Sequence, residues 1–189
     1  MKLVEQDVFA EAQCVLENAE LVITAQQIDQ AIHQLATEIN AQFAEIELPV
    51  IVLPIMNGGL ILGGHLIPRL EFPLILDYLH ATRYRDNTTG SHLQWKVKPQ
   101  QSLKGRTLLI VDDILDEGFT LQAVLDYCKE QEVAHVYIAV LLEKEHPRPK
   151  ANIKCDFMGL RVEDKYVFGF GMDYKGYHRN LNAIYAVKD

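Results

Sequence analysis

The stretch LLIVDDILDEGFTLQAV, residues 108–124, holds the side chains best suited to chemistry. Its apolar opening, residues 108–111, has the composition of a strand buried on both faces, and two acids, Asp112 and Asp113, stand where that run ends. Asp116, Glu117, Gly118, Phe119 and Thr120 then lead into a segment with helical spacing. In open α/β sheets, ligands bind beyond the carboxyl ends of the strands. A loop entering a helix offers backbone N–H groups and the positive end of the helix dipole, which suits a phosphate. Gly118 lets the backbone wrap closely around such an anion, and Thr120 adds a hydroxyl donor. Adjacent carboxylates accept hydrogen bonds from a vicinal diol or support a hydrated Mg²⁺. A phosphate pocket beside two diol-binding acids describes a site for a ribose 5-phosphate.

Positioning those residues takes a sheet. Near-continuous Val, Ile and Leu runs at residues 50–56, 74–79, 108–111 and 136–142 read as strands of a parallel sheet covered on both faces. Leu121, Val124, Leu125 and Cys128 recur at helical spacing between the last two runs, giving a βαβ unit with a right-handed crossover. The class is α/β, a mainly parallel central sheet flanked by helices. Before it, the first forty residues read as two helices. Val8, Ala12, Val15, Leu16 and Ala19 share a face of the first; Ile28, Ala31, Ile32, Leu35 and Ile39 share a face of the second. Thr24 and Gln27 predict a capping box at the second helix's start. Residues 85–92 (RDNTTGSH) read as a surface loop. Short β-like pieces at 157–162, 166–170 and 183–187 surround a polar stretch, 173–182, and read as a small cap. With no internal repeat or linker, the expectation is one domain over residues 1–189, with a core at about 45–145 and a hood built from about 1–20 and 150–189.

Composition narrows the function. The 189 residues are 49% hydrophobic and 23% charged, which excludes global disorder, and no apolar run is long enough for a membrane helix. A net charge of −8 argues against a nucleic-acid partner. Three scattered cysteines, Cys14, Cys128 and Cys155, have no zinc spacing and fit a reducing compartment. The N-terminus carries acids where a secretory signal would be apolar, so the expected location is cytoplasmic.

The string of apolar run, acid-acid-apolar-apolar-acid-x-Gly-x-Thr resembles the phosphoribosyl pyrophosphate (PRPP) signature of the type I phosphoribosyltransferases, with Glu117 where that family usually has a small residue. From about Pro49 onward the chain is similar to the hypoxanthine-guanine phosphoribosyltransferases within that family. VLLEKEHPRPK aligns Lys144 with the family lysine that bonds the purine 6-oxo group. DKYVFGFGMDYKGYHRNLN aligns Tyr166 with the aromatic that stacks on the base, and Val167 with its backbone contacts. It also aligns Asp173 with a position beside base and metal, and Arg179 with a pyrophosphate contact. Taken singly, Lys144 reads as a surface lysine, Tyr166 as a rim aromatic and Arg179 as a solvated charge; their joint register gives them these roles. PIMNGG aligns Met56, Asn57, Gly58 and Gly59 with the family's pyrophosphate loop, where a non-proline cis peptide is found; Met56–Asn57 is the corresponding bond. Asn57 stands where many relatives have Lys. Thr82, Arg83 and Tyr84 align with a mobile flap that carries Ser-Tyr in relatives.

The resemblance implies a type I phosphoribosyltransferase fold and a purine salvage enzyme that makes IMP or GMP from PRPP. Its implied partners are an oxo-purine base and PRPP, and the implied assembly is a homo-oligomer, dimer or tetramer. Asp116 is the implied general base, with residues 112–120 around PRPP and Mg²⁺ near Asp112, Asp113 and Asp173. A preference for xanthine and a nucleotide-binding regulator on the same fold are the alternatives.

Overall fold

The computed structural model describes residues 2–83, 93–148 and 151–188. The expected surface loop at 85–92 and the flap residue Tyr84 lie outside them, as does the side chain of Arg83.

The sheet forms where branched apolar residues run unbroken. Strand β2 (Val50–Met56) is buried along almost its whole length and lies at the centre. It pairs in parallel with β6 (Thr107–Leu115), which pairs in parallel with β7 (His135–Glu145), which pairs in parallel with β8 (Phe157–Glu163). On the other side of β2 come β3 (Leu74–Leu76) and β4 (Leu79–Arg83), both parallel to it, and then antiparallel β5 (Leu93–Val97). Side chains alternate between two cores, as the period of a strand requires. Val50, Val52, Leu109, Val111, Ala139 and Leu141 face helices α2 (Ala25–Gln42) and α3 (Gly59–Leu66), where Ile28, Ile32, Leu35, Ile39, Leu62 and Leu66 cover them. Ile51, Leu53, Leu108, Ile110, Ile138 and Val140 face helix α4 (Phe119–Glu130), which contributes Leu121, Val124 and Cys128. The capping box is present: Thr24 Oγ1 accepts from Gln27 N at 3.3 Å, and Gln27 Oε1 accepts from Thr24 N at 2.9 Å.

Four expectations change. The run at 74–79 is two strands, because Asp77 turns the chain between them. Its carboxylate is buried and accepts from the backbone N–H groups of Tyr78, Gln100 and Gln101 at 2.7–2.9 Å. Strand β6 continues to Leu115, so Asp112 and Asp113 sit within the strand rather than after it. The helices of the first forty residues, α1 (Lys2–Asn18) and α2, are separated by strand β1 (Glu20–Ile23). Finally, residues 157–163 belong to the main sheet's edge and not to the hood.

The hood is a second, antiparallel sheet in the order β1–β10–β9, with β9 at Val167–Phe168 and β10 at Ile184–Ala186. Helix α1 packs on it through Ala12, with Phe168 and Tyr174 beneath and Val15, Leu16 and Ala19 at the edge. Polar ties continue this contact. Tyr174 Oη donates to Glu11 at 2.7 Å, the Lys175 ammonium bonds both Glu11 oxygens, and the His178 ring, left-handed at φ +69°, meets the Ala12 carbonyl at 2.8 Å. Helix α1 therefore fixes the loop that carries Asp173 and Arg179.

Asp77→Ala should strand three amides that now meet one carboxylate, at a cost of about 2–4 kcal/mol. The urea midpoint of unfolding reads this directly; a change below experimental error would remove Asp77 as the pin of the β3–β4 turn.

Candidate active site

A cavity of about 1010 Å³ opens beyond the carboxyl ends of β2, β6 and β7, with the hood along one side. Its walls bring together Met56, Asn57, Gly58, Asp112, Asp113, Asp116, Glu117, Gly118, Phe119, Thr120, Lys144, Tyr166, Val167, Asp173 and Arg179. Gly59, expected there too, does not line the cavity. It opens α3 against β6 so closely that a Cβ would lie 2.4 Å from the Val111 carbonyl oxygen, so its smallness serves packing.

On the phosphate side, Gly118 turns the chain from β6 into α4 with φ +76° and ψ 0°, a left-handed conformation that favours glycine. Its carbonyl accepts the Gln122 N–H at 2.9 Å and so closes the helix's first turn. Phe119 and Thr120 are the first two helical residues, and their amide end borders the cavity, the arrangement that attracts an anion. Glu117 is turned elsewhere: its side chain reaches Arg148 at 3.1 Å, and its carbonyl accepts from Ala151 N at 2.8 Å.

The acid pair sits deeper. Asp113 is buried, Asp112 is recessed, and the Asp112 Oδ1 atom accepts the Asp113 N–H at 3.0 Å. Burial, and then the neighbouring Asp113, push the Asp112 carboxyl well above the usual range. Burial also raises Asp113, against the opposing pull of the Arg179 guanidinium. Three loops meet here with glycine at each contact: a Cβ on Gly58 would strike the Asp113 carboxylate at 2.3 Å, and one on Gly171 would strike the Gly58 carbonyl at 2.5 Å. The Met56–Asn57 peptide is cis. Arg179 spans the third loop, donating to the Gly171 carbonyl and to Asp173, whose other oxygen accepts from Gly176 N at 2.7 Å.

Asp116 lies in a web of cations. Lys144 Nζ is 3.1 Å from its Oδ2, while Arg148 Nη2 donates to Oδ1 at 2.7 Å. His146 Nε2 comes within 3.0 Å of Oδ1 but off the line of a hydrogen bond. Burial draws the Asp116 carboxyl upward, yet Lys144 and Arg148 outweigh it and hold the group below the usual carboxylate range. Lys144 is itself nearly buried, its side chain only 10% exposed, which sets it apart from an ordinary surface lysine. Tyr166 is the opposite: at 54% exposed, it presents a ring to the cavity mouth, edge-on to Tyr174.

Sequence reasoning missed Arg148, His146, Asp164, Lys165, His80 and Lys96, of which all but His146 line the cavity; Thr82, aligned with the flap, lines it as well. Arg148 and Asp164 bracket residues that had been singled out, yet nothing local marks them. They meet only because β7 and β8 run side by side. Nor do Asp112, Asp113 and Asp173 form a metal cage, because Asp173 is committed to Arg179 and Gly176. Among the described residues no three His, Cys, Asp or Glu side chains converge to hold an ion. The acid pair alone still fits Mg²⁺, which is usually held by one or two carboxylates together with substrate phosphates.

A parallel sheet with a phosphate loop, an acid pair and a separate hood defines the type I phosphoribosyltransferase class. The phosphoribosyl transferase domain family matches residues 22–175. The chain is 34% identical to a hypoxanthine-guanine phosphoribosyltransferase of Mycoplasma genitalium over 87% of its own length and 93% of the relative's. It is 30% identical to that of Bacillus subtilis over 89% and 92%. A solved hypoxanthine phosphoribosyltransferase from Staphylococcus aureus superimposes with a TM-score of 0.84 at 26% identity, covering 91% of this chain and 93% of the other. The chain belongs to the hypoxanthine-guanine branch of the phosphoribosyl transferase family and is an enzyme. No helix among its described residues is long and apolar enough to cross a membrane.

An acid whose pKa is higher in the folded than in the unfolded chain binds its proton more tightly when folded. The stability it contributes is complete below the unfolded value and is lost as pH rises through the folded one. Asp112→Asn, without ligands, should therefore melt higher than the wild type at pH 8. The gain should vanish below about pH 4, where the unfolded carboxyl is protonated as well. Thermal melts at both pH values test this, and an equal difference at the two would refute it.

Proposed function

We propose that this enzyme joins N9 of hypoxanthine or guanine to the anomeric carbon of PRPP and releases pyrophosphate. The observation that carries the reading is the Lys144–Asp116 pair, a donor and an acceptor 3.1 Å apart on the cavity wall. A 6-oxo-purine presents O6 and N7 side by side on one edge. With hydrogen on N7, that edge is an acceptor beside a donor, the complement of Lys144 and Asp116. An adenine would set its 6-amino group against an ammonium that has donors only.

On this reading the entering purine draws Lys144 to its 6-oxo group and exposes Asp116 Oδ2 to the N7 hydrogen. N9 attacks as the bond from the anomeric carbon to pyrophosphate breaks, and the N7 proton passes to Asp116. The sugar carries positive charge in between, favoured by nearby Asp112 and Asp113, which also accept from its two hydroxyls. Residues 117–120 hold the 5-phosphate, largely through backbone N–H groups. Arg179 and the backbone of Met56, Asn57 and Gly58 receive the pyrophosphate. The exposed face of Tyr166 stacks on the base, with Val167 at its edge and Asp173 beside it. Asp112 and Asp113 would hold Mg²⁺, which would supply positive charge to the departing pyrophosphate. Free cysteines support a reducing, cytoplasmic setting. Exposed Leu60, Leu76 and Tyr78, which border an apolar groove, support pairing with a second copy of the chain; a light-scattering mass equal to one chain would refute that.

Incubation with PRPP and Mg²⁺ should yield nucleotide from hypoxanthine and guanine but not from adenine; xanthine as the best substrate, or no product from any base, would overturn the assignment. Asp116→Asn should keep the fold and lose on the order of 10²–10⁴ in turnover. Lys144→Ala should cost about ten- to a hundred-fold in kcat/KM for the purine, with PRPP affected far less. Steady-state kinetics with each substrate varied in turn separates the two.

A further inference from the structure

The two oxygens of Asp116 are held differently. Oδ2 meets Lys144, the group the purine is to draw away. Oδ1 carries Arg148 at 2.7 Å and has the fully enclosed imidazole of His146 against it. Arg148 is in turn gripped from two other sides. Its Nη1 donates to Glu117 at 3.1 Å, and its Nε and Nη2 form a fork on the two oxygens of Asp164 at 3.2 and 2.9 Å. One guanidinium thus ties the turn after β6 to the turn between β8 and β9.

We propose that Arg148 is the positioning residue of Asp116: it anchors Oδ1 so that Oδ2 stays aimed at the purine after Lys144 has left. This rests on Asp116 being the base. A carboxylate at the end of a strand, released from its lysine, is free to rotate about its side-chain bonds, and small misplacements of a reacting group are costly. Arg148 removes that freedom without needing the substrate, because Glu117 and Asp164 keep it in place when the purine is bound. The hold also explains why the base is allowed so strong a cation. Arg148 makes Asp116 less basic and gives a fixed direction in exchange. Lysine cannot replace it, since an ammonium lacks the planar fork that reaches three carboxylates at once.

The test is a mutant cycle of Arg148→Gln and Asp116→Asn, with kcat and both KM values measured at saturating Mg²⁺. R148Q alone should lower kcat about 10- to 100-fold while KM for PRPP stays near the wild-type value. R148K should recover only part of the loss. In the D116N background, R148Q should take little further from the residual turnover, because the two act as one unit. Equal fractional losses in both backgrounds, or a raised KM for PRPP at unchanged kcat, would overturn the positioning role and leave Asp116 as the base. Near-wild-type turnover in D116N would overturn the base assignment itself. Should R148Q fail to fold, R148K, which preserves the charge, completes the same cycle.

Discussion

Four carboxylates lie within six residues at the end of β6 and in the turn after it, at Asp112, Asp113, Asp116 and Glu117, and the rest of the site is organised around the repulsion this creates. Strand β6 is central and its flanking positions are buried, so the acids cannot all turn to water. Two remedies are visible. Burial and the neighbouring acid raise the inner pair, and the Arg179 guanidinium opposes that rise at Asp113. The outer pair is met by cations from a different strand, Lys144 on β7 and Arg148 just after it. Parallel pairing makes the second remedy possible. β6 and β7 end at the same edge, with Leu115 opposite Glu143, so residues 28–32 positions apart in sequence arrive side by side.

The hood answers a separate need. Arg179 and Asp173 sit on a loop with little secondary structure of its own, and such a loop would be mobile if left alone. Its ties to α1 through Glu11 and Ala12, and the close approach of Gly171 to Gly58, fix it against both the N-terminal helix and the pyrophosphate loop. The N-terminal helix thereby supports the site although none of its described side chains lines the cavity.

What could be read from the sequence follows from how locally each feature is determined. The turn from β6 into α4 was legible because strand, acids, glycine and helix are consecutive. The capping box at Thr24 and the apolar stripe of α2 were legible for the same reason. Strand β1 escaped because four residues carry too little periodicity. The break at Asp77 escaped because its cause is a carboxylate meeting amides 23 and 24 residues away. Residues 157–162 read as part of the cap because their parallel pairing with β7 is not written locally. Lys144 and Tyr166 were found by resemblance alone, since each is an ordinary residue without its neighbours. Arg148 had no such help, and only the fold discloses it.

An acid-lined cavity would repel a polyphosphate, and the balance of groups resolves the conflict. Asp113 faces Arg179, Asp173 is bonded to it, and Asp116 is covered by Lys144 and Arg148, so the carboxylates a phosphate would meet already have cationic partners. The anion itself is offered the amide end of α4 and the glycine-bearing loop at Met56, Asn57 and Gly58, where backbone dipoles attract negative charge without adding a mobile cation. On the proposed reading Lys144 leaves Asp116 for the base, and with Arg148 on one oxygen of Asp116 and Lys144 on the other, a single exchange of hydrogen bonds both recognises the base and frees the carboxylate.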